Sequence, residues 1–363
     1  MVSVQLREES RPGAPNFAAP AETAPVSRTW RLGHQPALDG LRGVAIALVV
    51  AYHLDPRLLP GGPIGVDLFF VLSGFLITSL LIGEQVSTGR IHLRAFYVRR
   101  ARRLFPALAV FLVVVGAVLL AEHAWSAFFT LGYVVGYVAN YAWNANHLAA
   151  PVQHCWSLSI EEQFYLVWPV VLVALLRFRN RWLTTASVAA LIGAVLIHRI
   201  AGNSPTQSIL TTDLRADGLL VGCLLACLFA WFGAVRWSWW PLALGACPFL
   251  VAQVWEGNDL RGFGYTAVAV LFAFVLAGSI TCEPLRRVLE IGPLRWLGRI
   301  SYSLYLWHYV VIYVTRFKSP AGIAHATVIN SLVALAVSLA LAVASYELVE
   351  KPFMQRRRIA ANA

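Results

Sequence analysis

The sequence predicts an all-α integral membrane protein, a single bundle of about ten membrane-crossing helices, on three observations. Hydrophobic residues make up 58% of the 363 positions and charged residues only 13%, about half the charged fraction of an ordinary soluble domain. From about residue 38 onward, apolar runs near the roughly 20 residues that cross a bilayer follow one another with short polar links. The net charge of +11 sits as arginine in those links, the pattern of the positive-inside rule. It therefore reads as an orientation signal and predicts no nucleic-acid partner.

Residues 1–36 are rich in Pro, Ala and charge and lack an apolar core, so they read as a disordered cytoplasmic tail and not as a signal peptide. Residues 37–353 read as one membrane domain, and 354–363 as a short basic cytoplasmic tail. Spans are expected near 40–58, 64–84, 105–122, 157–176, 182–200, 216–234, 237–255, 262–281, 300–318 and 324–347. The run WSAFFTLGYVVGYVANYAWNA (125–145) is long enough to span, but its Gly, Asn, Trp and Tyr suit an interfacial or re-entrant segment. The links at 90–103, 177–181, 282–299 and 350–358 are all basic. They fall on one side, with both termini cytoplasmic in an inner or plasma membrane, only if 125–145 does not cross. Eleven spans would put 177–181 outside. The cysteines, Cys223 and Cys227 among them, read as small packing residues, with no disulfide and no metal set expected.

Polar groups inside the spans carry the functional signal. In LDGLRGVAIALVVAYHL (38–54), Arg42 sits in an apolar run, where an unpartnered cation costs about 3 kcal/mol or more. Arg42 and His53 share one helix face, about 16 Å apart along the axis. A plainer account has Arg42 snorkelling to the interface and His53 bonding a neighbouring helix. GVDLFFVLSGFLIT (65–78) places Asp67 at the outer start of the second span, near His53, where a carboxylate can orient an imidazole. In HCWSLSIEEQFYLVWP (154–169), Glu161 and Glu162 are expected at the outer start of the fourth span. Ser159 with Glu162 fits a capping box, and Glu161 is left to point into the protein. TTDLRADGLLVG (211–222) puts Arg215 and Asp217 at the outer end of the sixth span. ISYSLYLWHYVV (300–311) sets His308 in mid-span, most simply as a neutral imidazole bonded to a helix neighbour. FYVRRARRLFPAL (96–108) crowds four arginines at the mouth of the third span, with Pro106 as its expected first turn. Their field suits the phosphates of a nucleotide-bearing donor, or else anionic lipid headgroups.

Taken in order, these segments together with YELVEKPF (346–353) resemble the membrane-bound acyltransferase 3 family over nearly the whole chain after the tail. The resemblance implies a ten-span enzyme that moves an acyl group, often acetyl, from acyl-CoA to hydroxyls on glycans or glycosylated natural products. Arg42 and His53 match the family's Arg-x10-His pair. Arg100 and Arg103, with Arg99 beside them, match its Arg-x-x-Arg donor motif, and Ser157 to Leu166 match its Ser-Leu-Ser-x-Glu-Glu segment. Cys155 stands where an aromatic residue is more usual. The chain ends about a dozen residues after the last motif, so the minimal membrane form is expected.

The chemistry so implied is metal-free O-acyl transfer. His53 is the general base, and Asp67 or Glu161 fixes its tautomer. Arg42 sits near the thioester or pantetheine end or stabilises the carbonyl oxygen. Arg99, Arg100 and Arg103 hold the CoA phosphates. A covalent acyl-histidine stays open beside direct transfer. So do a lipid-linked glycan, a cell-wall glycan and a macrolide-like compound as acceptors. A proton-coupled transporter or exporter is the alternative from another class, since intramembrane Arg, His and Asp also mark proton pathways. No internal repeat or pair of matching broken helices supports it. A non-catalytic assembly or sensor protein is a third.

Overall fold

The computed structural model describes residues 32–202, 210–233, 238–257, 260, 262–317 and 328–354. Most of the expected N-terminal tail, nearly all of the C-terminal one and the first residues of the last expected span lie outside the described residues. The helices are α1 (Pro36–Leu54), α2 (Ile64–Thr88), α3 (Leu93–Ala121), α4 (Trp125–Val135), α5 (Ala139–Asn144), α6 (Cys155–Arg177) and α7 (Arg181–Ala201). They continue with α8 (Thr212–Phe232), α9 (Trp240–Glu256), α10 (Gly264–Thr281), α11 (Glu283–Leu289), α12 (Gly292–Arg299), α13 (Ser301–Phe317) and α14 (Val328–Ser345), which runs on into a π-helical turn at Tyr346–Glu350. No strand occurs among the described residues. Among the described residues, eight helices are long and apolar enough to cross a membrane. The 17-residue α9 and α13 fill the other two expected places.

α2 and α8 form the centre. About four fifths of each span is buried, 78% and 83%, against 17% for α7 at the periphery. They approach backbone to backbone: a Cβ on Gly74 would lie 1.8 Å from the Leu219 carbonyl oxygen, and one on Gly222 would lie 2.1 Å from that of Val71. Small residues allow such close crossings, and close crossings hold bundles together where lipid is as apolar as the core.

The segment 125–145 forms no single continuous helix but two short ones, α4 and α5. α4 has 11 residues, about 16 Å of helix, too short for a hydrocarbon core of about 30 Å. The chain reverses at Tyr137, whose φ is 53° and whose ring meets Phe105 of α3. Backbone outside helices survives at that depth only when protein satisfies it. Here the Tyr137 carbonyl accepts from Gln163 (2.7 Å), and the Ala139 amide donates to Ser159 (3.1 Å).

The basic stretches gather at one end of the bundle. α12 packs on the start of α1. Arg42 at that end bonds Ser301 at the start of α13, and Arg181 donates to Trp231 near the end of α8. Arg103 lines a cavity with Arg42. Two local expectations are corrected. Pro106 lies inside α3, which starts at Leu93, so the arginine link is itself helical. Ser159 does not cap α6: the helix starts at Cys155, and the Ser159 hydroxyl bonds the Cys155 carbonyl and the Ala139 amide.

Candidate active site

Because the arginine link is helical, Arg100 and Arg103 stand one turn apart on one face. They line a cavity of about 550 Å³ with Arg42, Arg99, Ser73, Glu84 and Glu161. Arg42 donates to Ser301 Oγ at 3.1 Å. The Arg100 guanidinium makes a bidentate pair with Glu162, at 3.1 Å from Nε and 2.5 Å from Nη2, and lies 3.2 Å over the Tyr165 ring. Arg99 pairs more loosely with Glu84, at 3.4 Å. Of the four arginines, Arg99 and Arg100 are thus paired with carboxylates, while Arg42 and Arg103 make no ion pair among the described residues and can meet a polyanion.

A second cavity of about 690 Å³ opens at the other end, lined by His53, Asp67, His154 and Arg215 and by aromatic rings that include Trp143, Trp156, Tyr265 and Tyr309. Charges here cancel in pairs. Asp67 accepts from Arg215 at 2.7 Å, and both side chains are about 5% exposed. The Arg215 guanidinium covers Tyr265 at 3.6 Å. Behind them Asp217 accepts from Arg199 at 2.6 Å and from Thr266. His53 Nδ1 lies 2.9 Å from the Val49 carbonyl oxygen and 3.2 Å from His308 Nε2. His154, in the turn before α6, stacks on Tyr309. It is buried, at 3% exposed.

The two cavities adjoin. Val66 and Tyr305 line both, and the Tyr305 hydroxyl is tied to Ser157 at 2.7 Å and to the His154 carbonyl. The first two turns of α6 run past this neck, with His154 and Trp156 on one side and Ser157 and Glu161 on the other.

Of the residues singled out in the sequence, Arg42, Arg99, Arg100, Arg103 and Glu161 meet in one cavity, and His53 and Asp67 meet in the other. Three expectations change. Glu161 and Glu162 lie in the second turn of α6 and reach the arginines, not the outer entrance. Glu161 accepts from Ser73 at 2.7 Å. Asp67 is engaged by Arg215. The two carboxylates expected to orient His53 are thus committed to other groups, and His308 and a backbone carbonyl stand at its Nδ1. Sequence reasoning missed Arg199, His154, Tyr305 and Ser301. His154, Tyr305 and Ser301 had a signal, each lying within a motif quoted for another residue, and Arg199 had none.

Among the described residues, no group of three or more His, Cys, Asp or Glu side chains could hold a metal ion. A family model described as an acyltransferase domain matches residues 35–347. The chain is 34% identical over 368 residues to the peptidoglycan O-acetyltransferase of Listeria monocytogenes, covering 90% of this chain and 57% of that one. It is 33% identical over 361 residues to a Bacillus subtilis protein named "Putative peptidoglycan O-acetyltransferase", covering 87% and 54%. A Staphylococcus aureus protein named "Putative O-acetyltransferase" is 32% identical over 371 residues, covering 94% and 61%. The chain thus spans between about half and three fifths of the length of these relatives. No solved structure gives a significant match.

Proposed function

This chain belongs to the acyltransferase 3 domain family, and from that membership we propose that it is a membrane-embedded O-acyltransferase moving an acyl group, acetyl first of all, from acyl-CoA to a carbohydrate hydroxyl. One observation carries the reading: a cationic cavity and a histidine-bearing cavity adjoin at Val66 and Tyr305. Acyl-CoA is polyanionic at its nucleotide end and neutral along its pantetheine arm. The phosphates enter among Arg99, Arg100 and Arg103, on the cytoplasmic side, and the arm runs inward to the neck. Arg42, beside them and held by Ser301, is assigned to the donor and not to the acceptor. The acceptor lies among the aromatic rings of the second cavity, whose faces suit sugar rings.

At the neck, His53 takes the proton of the acceptor hydroxyl as its oxygen bonds the thioester carbon. The carbon–sulfur bond then breaks, and the CoA thiolate regains the proton from the imidazolium. Products are the ester and free CoA. An acyl-histidine would add one step without changing that balance. The relatives' names make peptidoglycan the first acceptor to try, with lipid-linked glycans and macrolide-like compounds after it.

The buried Asp67–Arg215 and Asp217–Arg199 pairs also suit a proton-coupled transporter. Purified protein incubated with labelled acetyl-CoA and peptidoglycan fragments separates the two. Labelled ester that depends on His53 supports the enzyme. Free CoA without ester, across all three acceptor classes, sinks it.

A further inference from the structure

Resting on the reading of His53 as base, we infer that His308 is a positioning residue: it accepts the Nδ1 proton of His53 and so holds the basic lone pair of His53 at Nε2. A carbonyl oxygen only accepts, so His53 Nδ1, 2.9 Å from the Val49 oxygen, carries hydrogen. His308 Nδ1 lies 3.0 Å from the Leu304 oxygen and 2.8 Å from that of Tyr305, so it carries hydrogen too. A neutral His308 then bears its lone pair on Nε2, and that atom is 3.2 Å from His53 Nδ1. The His53 N–H is shared between Val49 and His308, and its other ring nitrogen is left as the base. Second groups that fix a histidine tautomer in this way are commonly carboxylates or carbonyls. Here a second imidazole serves, contributed by α13 from 255 residues away.

The surroundings favour this role over a proton relay. His308 is 0% exposed, and its own N–H is held by two carbonyls. Passing the proton on would leave a buried imidazolium whose other N–H faces two backbone carbonyls, which cannot take the proton. Accepting a hydrogen bond costs His308 nothing of that kind. The bond strengthens when His53 becomes charged, because charge-assisted hydrogen bonds are the stronger ones. His308 thus helps His53 most while His53 holds the proton.

The test compares His308→Phe, which keeps a ring and removes the acceptor, with His308→Gln, whose side-chain oxygen can replace Nε2. In detergent-solubilised protein with 15N-labelled histidine, the His53 signal is identified by its loss in His53→Ala. The wild type and His308→Gln are expected to show unprotonated Nε2 on His53. His308→Phe is expected to show a mixture of the two tautomers. With labelled acetyl-CoA and peptidoglycan fragments, His308→Phe lowers kcat by about tenfold or more, leaves the KM for acetyl-CoA within about twofold, and is rescued by Gln. Identical His53 signals in all three proteins overturn the inference, whatever the acceptor. A wild-type kcat in His308→Phe, with His53→Ala inactive, also overturns it and leaves the base reading standing. Full activity in His53→Ala removes the base reading itself.

Discussion

At one end of the bundle, Arg42, Arg99, Arg100 and Arg103 face a cavity whose lining supplies only Glu84 and Glu161 as acids. At the other, Asp67 and Arg215 neutralise each other in a wall of aromatic rings. In the first cavity Arg100 is paired with Glu162 and Arg99 with Glu84, while Arg42 and Arg103 make no ion pair among the described residues and are the cations open to a ligand. In the second, charge is used up in holding α2 to α8, and the ligand meets imidazoles and ring faces. The difference teaches that a buried charge in this protein is no guide to substrate contact by itself. What matters is whether its partner is another side chain.

Five expected outcomes bear on that contrast. His53→Ala should lower transfer of label from acetyl-CoA by about 10²–10⁴-fold, with donor binding unchanged. Normal transfer would remove the histidine end from the chemistry. Asp67→Ala should lower stability by about 3–5 kcal/mol, because Arg215 is left buried and uncompensated; thermal unfolding in detergent reads it. Glu84→Ala, in a more exposed pair, should cost about 1 kcal/mol or less. Equal losses would mean that the two ends handle charge alike. Arg103→Ala should raise the KM for acetyl-CoA about tenfold, the equivalent of about 1.4 kcal/mol, with kcat kept. The smallest effect expected is of salt. Screening at higher ionic strength should raise the KM for acetyl-CoA by about twofold and leave the KM for the glycan unchanged. A KM for the glycan that moved equally would blur the distinction.

Much of the fold was legible because bilayer thickness imposes a local rule. Each span announces itself in about 20 residues, and the polar residues of 125–145 marked a run that breaks into two short helices. Arg42 with His53, and Arg100 with Arg103, were legible as pairs because helical periodicity alone sets their spacing. The depth of Glu161 and Glu162 was not. α6 starts at Cys155 with no side-chain cap, while Ser159 and Glu162 imitate a capping box four residues later. Pro106 misled in the same way, since a proline typical of a first turn sits well inside α3.

The sequence by itself determined the membrane architecture, the helix faces and the candidate residues, since each depends on residues close along the chain. Only the tertiary structure decided the partners: Asp67 with Arg215 across 148 positions, Arg42 with Ser301 across 259, and His53 with His308 across 255. A buried polar group takes whichever partner the packed helices bring within about 3 Å. That distance is set by how the helices cross, which no local pattern of residues encodes.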